Sequence, residues 1–210
     1  GKVTVDEQYR IKSIELFEMS LEHYKDHKDE FDRVLEIFTG KPDGYTLTDY
    51  KKVSEEELDA IDSLADGYKV LLFKVSNEKP NNNYNGNTYI DTMSYEATAR
   101  FIEMTHEKYK EKCGDRLGTT IKGIFTDEPH RGHLLDNLSD TDGVRQCKTA
   151  YTNDIFEEFE KRYGYDLRPI LPEIFYHIDG KRFSRARLNY VDLADNLFLE
   201  RFAKPLNDWC

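Results

Sequence analysis

The sequence predicts a mixed α/β fold, or α+β for the chain taken by itself, and three observations carry that reading. Residues 68–75 (Y-K-V-L-L-F-K-V) are a run of strand formers opened by Asp66-Gly67. Helical apolar spacing recurs behind Ser94, Thr152 and Ser184. Between the first two of these helices, a short apolar run at 121–126 ends in carboxylates, and in α/β sheets chemistry gathers at the carboxyl ends of strands.

The elements follow in order. Residues 9–21 carry Ile11, Ile14, Leu16, Phe17, Met19 and Leu21, which fit helix and strand templates equally. Residues 33–38 (R-V-L-E-I-F) read as a short strand. Thr39-Gly40-Lys41-Pro42-Asp43-Gly44 after them is turn chemistry. Residues 45–53 alternate loosely, and Ser54-Glu55-Glu56-Glu57 reads as a helix start or a charged turn. With the strand at 68–75, residues 1–80 read as a small, mostly antiparallel β subdomain.

Residues 77–93 form a polar loop that cannot bury a core of its own, so it lies on a surface or lines a site. Ser94 is the expected N-cap of a helix carrying Ala97, Phe101, Ile102, Thr105 and Tyr109, with Gly114 as its stop. Residues 121–126 (I-K-G-I-F-T) follow as a buried strand. An amphipathic helix with Ile155, Phe156, Phe159 and Tyr163 is capped by Thr152 and stopped at Gly164. Pro169 and Pro172 bracket a connector. Ser184 opens a longer helix that Pro205 bends or ends. Residues 81–210 thus read helix, strand, helix, helix.

Charge and cysteine usage bound the function. Of 210 residues, 41 are acidic and 30 are Lys or Arg, a formal charge of -11, which repels phosphate backbones and anionic lipid surfaces. Nucleic acid and membrane are therefore not expected partners, and no apolar run is long enough to span a bilayer. An aromatic share of 13% separates the chain from disordered acidic sequences. Cys113, Cys147 and Cys210 make an odd set without C-x-x-C spacing, which leans toward a reducing, cytoplasmic compartment. With no initiator Met at Gly1 and an aromatic-rich stretch running to Cys210, the chain reads as a piece of a longer protein.

The sharpest chemical signal is Asp127-Glu128 in F-T-D-E-P-H. Side chains alternate along a strand, so one carboxylate can face a pocket while the other makes a structural bond. A strand-end carboxylic acid partly desolvated by Phe125 could serve as general acid in glycoside hydrolysis, where the leaving oxygen must take a proton. The same pair could instead cap a helix behind Pro129. His106-Glu107 is not H-E-x-x-H, since position 110 is Lys, and its bland reading is a packed histidine. His130 and His133 flank Arg131 on a polar stretch and are secondary candidates. Asn81 to Asn87, with Tyr84, Asn85, Tyr89 and Asp91, has the composition of a sugar site, amides for hydroxyls and rings for sugar faces, or of an ordinary solvated loop. Phosphate-cradling loops and the serine elbow are absent, and no cofactor is implied.

The string T-I-K-G-I-F-T-D-E-P at 120–129 resembles the strand-end signature of bacterial (β/α)-barrel glycoside hydrolases related to the family 106 α-L-rhamnosidases. Y-I-D at 89–91, F-I-E-M-T-H-E-K-Y at 101–109, F-E-K-R-Y-G-Y-D-L at 159–167 with Leu171-Pro172, and F-A-K-P-L-N-D-W-C at 202–210 resemble that group too. Over 1–80 the resemblance is confined to Gly1-Lys2-Val3. It implies a partial (β/α)8 barrel at 81–210 with residues 8–80 inserted, a carbohydrate substrate, Glu128 as proton donor and Asp127 as its orienting or sugar-binding partner. His130, Asn85, Tyr84, Asp91 and His106 are the expected substrate-binding residues. Only one barrel strand is expected here, so the second carboxylate belongs to a strand beyond this chain. The piece alone should then be inactive and should self-associate through its unfinished barrel face. Two other classes stay open: a non-catalytic carbohydrate-binding or interaction module, and a metal-dependent hydrolase built from Asp127, Glu128, His130 and His106.

Overall fold

The computed structural model describes residues 2–135 and 138–210, so Gly1 of the Gly-Lys-Val string lies outside the described residues. The fold is mixed α/β. In chain order the elements are β1 (Lys12–Met19), α1 (Leu21–His27), β2 (Val34–Asp43), β3 (Thr46–Lys52), α2 (Glu55–Asp59), β4 (Lys69–Asn77), α3 (Tyr95–Met104) and α4 (His106–Cys113). There follow β5 (Ser139–Thr141), β6 (Val144–Tyr151), α5 (Ile155–Tyr163), α6 (Pro172–Phe175), β7 (His177–Ile178), α7 (Arg185–Phe198) and α8 (Lys204–Trp209). A π-helical turn, Leu199–Ala203, joins α7 to α8 and absorbs the approach to Pro205 without ending the helix. The chain divides into two compact units. One is Ser13–Ser76 with His133–Leu193; the other is Gly1–Lys12, Asn77–Gly132 and Ala194–Cys210.

The first unit is built on a seven-stranded sheet in the order β5-β6-β1-β4-β2-β3-β7. β2 is antiparallel to both β4 and β3, β5 is antiparallel to β6, and β3 runs parallel to β7. The expected strand at 68–75 is β4. The strand expected at 33–38 runs on to Asp43, through residues whose composition suggested a turn. At Gly40 an added Cβ would sit 2.9 Å from Leu47 Cδ1 and from Leu71 Cδ1, so glycine there serves close packing. A register shift between Gly40 and Pro42 accommodates the missing proline N–H, and the chain turns at Gly44 with φ 57°. The ambiguous stretch 9–21 becomes strand from Lys12 to Met19, after a 3-10 turn that ends at Tyr9, and Ser20 then caps α1. Ser54 and Glu57 close a capping box on α2.

The core of this unit includes Phe38, Leu47, Leu71 and Phe73, all buried, with Phe73 edge-on to Phe38 at 5.7 Å and tilted against Phe175 at 5.3 Å. Buried Glu18 accepts from Arg145 at 3.1 Å and from Tyr176 Oη at 2.7 Å, which satisfies a carboxylate that would otherwise be costly to bury. Tyr190 Oη donates to the Ala150 carbonyl and ties α7 to β6.

In the second unit Ser94 caps α3 as expected, accepting from Ala97 N at 3.2 Å. The helix breaks at Thr105, whose N–H is shared between the Phe101 and Ile102 carbonyls, and restarts as α4. Arg201 Nη1 donates to Met93 O at 3.0 Å, and Phe202 stacks on Phe101 at 6.4 Å.

Two expectations are corrected. Residues 121–126 are not a buried strand: Ile121 makes one isolated bridge to Leu117, 122–127 have no regular structure, and Phe125 is 87% exposed. A strand needs a ladder, and no partner strand for this stretch occurs among the described residues. The strand between the first and second helices of the expected order is instead β6, paired with β5 through a two-residue Asp142-Gly143 turn in which both residues have positive φ. The helix over 155–163 begins with Asp154, not Thr152, at its N-cap position, and ends as expected at Gly164, with φ 78°.

Candidate functional site

The polar loop organises an aromatic row. Asn81 Oδ1 accepts from Asn83 N at 3.0 Å and opens a 3-10 turn, Asn82–Tyr84. Asn85 and Gly86 then take left-handed φ of 55° and 75°, and the Asn81↔Asn87 bridge closes the loop. Asparagine and glycine tolerate that conformation best, which is why the cluster folds into a tight loop. It sets Tyr84 5.5 Å from Tyr89, and Tyr89 stacks on His130 at 4.2 Å with the rings 15° apart. Burial pushes the Tyr89 phenol above its ordinary pKa, opposed by a hydrogen bond from the His130 backbone.

Each member of the row is held by its backbone. Ile11 N donates to Tyr89 O at 3.1 Å, and Thr92 Oγ1 donates to His130 O at 2.8 Å. Gly132 N donates to His130 Nδ1 at 3.1 Å, which fixes the orientation of the ring. Arg131 pairs with Asp195 at 2.7 Å. Asp91, expected as a sugar ligand, is turned inward: it is buried, accepts from Met93 N at 3.0 Å and faces Lys12 Nζ at 3.6 Å. Lys12 also donates to Gln8 O and Arg10 O, so the buried pair braces the strap that carries Tyr89.

Of the remaining expected residues, Asn85 lies exposed at the loop tip. Asp127 and Glu128 are exposed, and Glu128 has φ 42°. Phe125, exposed itself, gives Glu128 no apolar cover. The structure thus gathers Tyr84 and His130 around Tyr89, with Asn85 next to Tyr84 in the loop and Glu128 two residues along the chain from His130. His106 is elsewhere in this unit, buried edge-on to Phe101 at 5.3 Å and Trp209 at 5.0 Å; burial pushes its pKa down. His133 belongs to the sheet unit, where its carbonyl accepts from Ala150 N at 2.6 Å. Among the described residues no group of three His, Cys, Asp or Glu is placed to hold a metal ion.

Two cavities escape the sequence reading. A groove of 620 Å3 beside α3 and α8 has Tyr95, Ile102, Glu103 and Trp209 in its walls, with the Trp209 indole donating to Glu107 at 2.5 Å. In the sheet unit a pocket of 430 Å3 is walled by Tyr45, Cys147, His177, Arg182, Phe183 and Arg187. The hairpin that presents its basic side carries an Asp179-Gly180 turn signal, readable in the sequence. Compared with protein-family models, with curated proteins and with solved structures, the chain matches none.

Proposed function

We propose that this chain is the carbohydrate-handling part of a glycoside hydrolase, in which the Tyr84–Tyr89–His130 row holds a sugar ring and Glu128 is the proton donor. The ring row carries the proposal. Aromatic faces suit the C–H faces of sugars, and the amides of Asn83, Asn85 and Asn87 are donors and acceptors suited to hydroxyls. Two-carboxylate hydrolysis calls for no cofactor.

To act as an acid at neutral pH, Glu128 must lose water, and it is exposed here. In this reading residues 121–126 pair with strands of a longer chain, as part of a (β/α)8 barrel, and that pairing supplies the cover and the second carboxylate. Unpaired, the exposed Ile124 and Phe125 favour self-association. The exposure of both carboxylates also supports a second reading, a carbohydrate-binding module without catalysis.

Titrating the chain with L-rhamnose, D-glucose and D-galactose, followed by NMR, tests the row. Millimolar binding should shift the Tyr84, Tyr89 and His130 resonances, and Tyr89→Ala should weaken it at least tenfold with the fold intact. Unmoved ring resonances for all three sugars would reject the site. In the longer chain Glu128→Gln should lower turnover by about 100-fold or more while sparing binding. Unchanged turnover there would leave the binding module.

A further inference from the structure

The pocket of the sheet unit has a chemistry that the carbohydrate reading does not use, and it stands or falls independently of that reading. The chain carries a net charge of -11, yet among the described residues the charged side chains lining this pocket are Arg182 and Arg187. Arg187 is 7% exposed. Its Nε donates to Ile174 O at 2.6 Å and its Nη1 to Arg182 O at 2.7 Å, and no carboxylate among the described residues pairs with the guanidinium.

A buried cation without a counter-charge is expensive, since backbone carbonyls satisfy hydrogens but do not neutralise charge. Two buried or half-buried carboxylates of the same unit are committed elsewhere. Glu18 is taken by Arg145 and Tyr176, and Glu173 accepts from Tyr50 at 2.9 Å. Burial together with Arg187 and Arg182 pushes His177 below its ordinary pKa, so the imidazole adds little charge of its own at neutral pH.

The walls are shaped by local structure. Ile178 and Lys181 exchange backbone hydrogen bonds across the Asp179-Gly180 turn, and this hairpin leads into Arg182 and Phe183. The Arg182 guanidinium lies 5.3 Å from the centre of the Phe183 ring, and Phe183 is 55% exposed. On another wall Tyr45 stacks with His177 at 6.0 Å. Rings at the sides and a buried guanidinium in the lining, in a volume of 430 Å3, match small-molecule sites.

We propose that this pocket binds a small organic anion, a carboxylate or phosphate carried on a flat apolar body, with Arg187 and Arg182 gripping the anion and Tyr45 and Phe183 flanking the ring. Arginine's planar fork suits both carboxylate and phosphate oxygens.

Calorimetry and ligand-observed NMR at low salt would use phenyl phosphate, benzoate, inorganic phosphate and benzyl alcohol. The two aromatic anions should bind, or one of them should, which would also identify the head group. Inorganic phosphate should bind about tenfold more weakly, having no ring for Phe183, and benzyl alcohol should not bind. Arg182→Gln, an exposed position, should weaken binding about tenfold, and Phe183→Ala should weaken the aromatic anions alone. Arg187→Gln should abolish binding; because this residue also holds two carbonyls, circular dichroism checks its fold, and Arg182→Gln with Phe183→Ala carries the test if it unfolds. The proposal is overturned if neither aromatic anion binds, if benzyl alcohol binds as tightly, if inorganic phosphate matches phenyl phosphate, or if Arg182→Gln binds like the parent.

Discussion

In β2, Phe38 is fully buried, with β4 on one side of its strand and β3 on the other; at 121–126, a run of similar apolar character, Phe125 is 87% exposed. R-V-L-E-I-F carries four apolar side chains and I-K-G-I-F-T three, and both end near turn formers. Their fates differ because a strand is a property of a pair. β2 has ladder partners from Val34 to Asp43, whereas Ile121 has a single bridge to Leu117 and the residues after it have none among those described. An apolar run states only that a segment can be buried; whether it is depends on backbone hydrogen bonds supplied from elsewhere.

The contrast is broken most strongly at the paired end. Phe73 of β4 contacts Phe38 and Phe175 with no exposed surface, so Phe73→Ala should cost about 3–5 kcal/mol in chemical denaturation, from lost transfer energy and a residual cavity. A loss under about 1 kcal/mol would mean that the sheet core is loosely packed and the comparison misdrawn.

A smaller effect sharpens the picture of the same core. Tyr24 packs with Met19, Ile37, Leu58 and Leu72, and its hydroxyl is buried without a hydrogen-bond partner among the described residues. Burial, then Glu55, Asp59 and Glu56, pushes the phenol up to about 12. The folded state therefore holds this proton more tightly than the unfolded chain. The stability this contributes is present below pH about 10 and is lost as pH rises from there toward 12. Burial also raises Tyr50, Tyr163, Tyr176 and Tyr190, so the alkaline decline should be shared. Tyr24→Phe should stabilise the protein by about 1 kcal/mol at pH 7 and flatten that decline, measured by denaturation at pH 7 to 11. Destabilisation at pH 7 would show that the hydroxyl has an acceptor after all.

Much of this was readable from residue types that act locally. Ser94, Ser54 with Glu57, and Gly164 bound helices through bonds made within four residues, and the sequence shows them directly. The Asp142-Gly143 and Asp179-Gly180 turns were equally local and were passed over because their strands are short. The extension of β2 through Gly40 was not readable, since it depends on Leu47 and Leu71 arriving against the missing Cβ. For the candidate site, the Asn-Tyr loop announced itself by composition, but the stacking of His130 on Tyr89, 41 positions earlier, is a tertiary fact. The burial of Asp91 was unreadable for the same reason: the Lys12 that it faces lies far away in sequence. The Arg187 pocket was invisible, because only burial makes an arginine noteworthy.

The smallest effect tests the other side of the contrast. Phe125 buries almost nothing, so Phe125→Ser should change the unfolding free energy by less than about 0.5 kcal/mol, as exposed positions usually do. The same substitution should nonetheless change behaviour between molecules. An exposed Phe125 beside a half-exposed Ile124 gives the chain a reason to associate at high concentration, and removing the ring should shift sedimentation toward monomer. If Phe125→Ser instead costs more than 2 kcal/mol, residues 121–126 pack against something within the chain, and the difference between paired and unpaired runs disappears. If stability and sedimentation are both unchanged, the segment is an ordinary solvated strap, and the proposal that it completes a barrel sheet loses its physical basis.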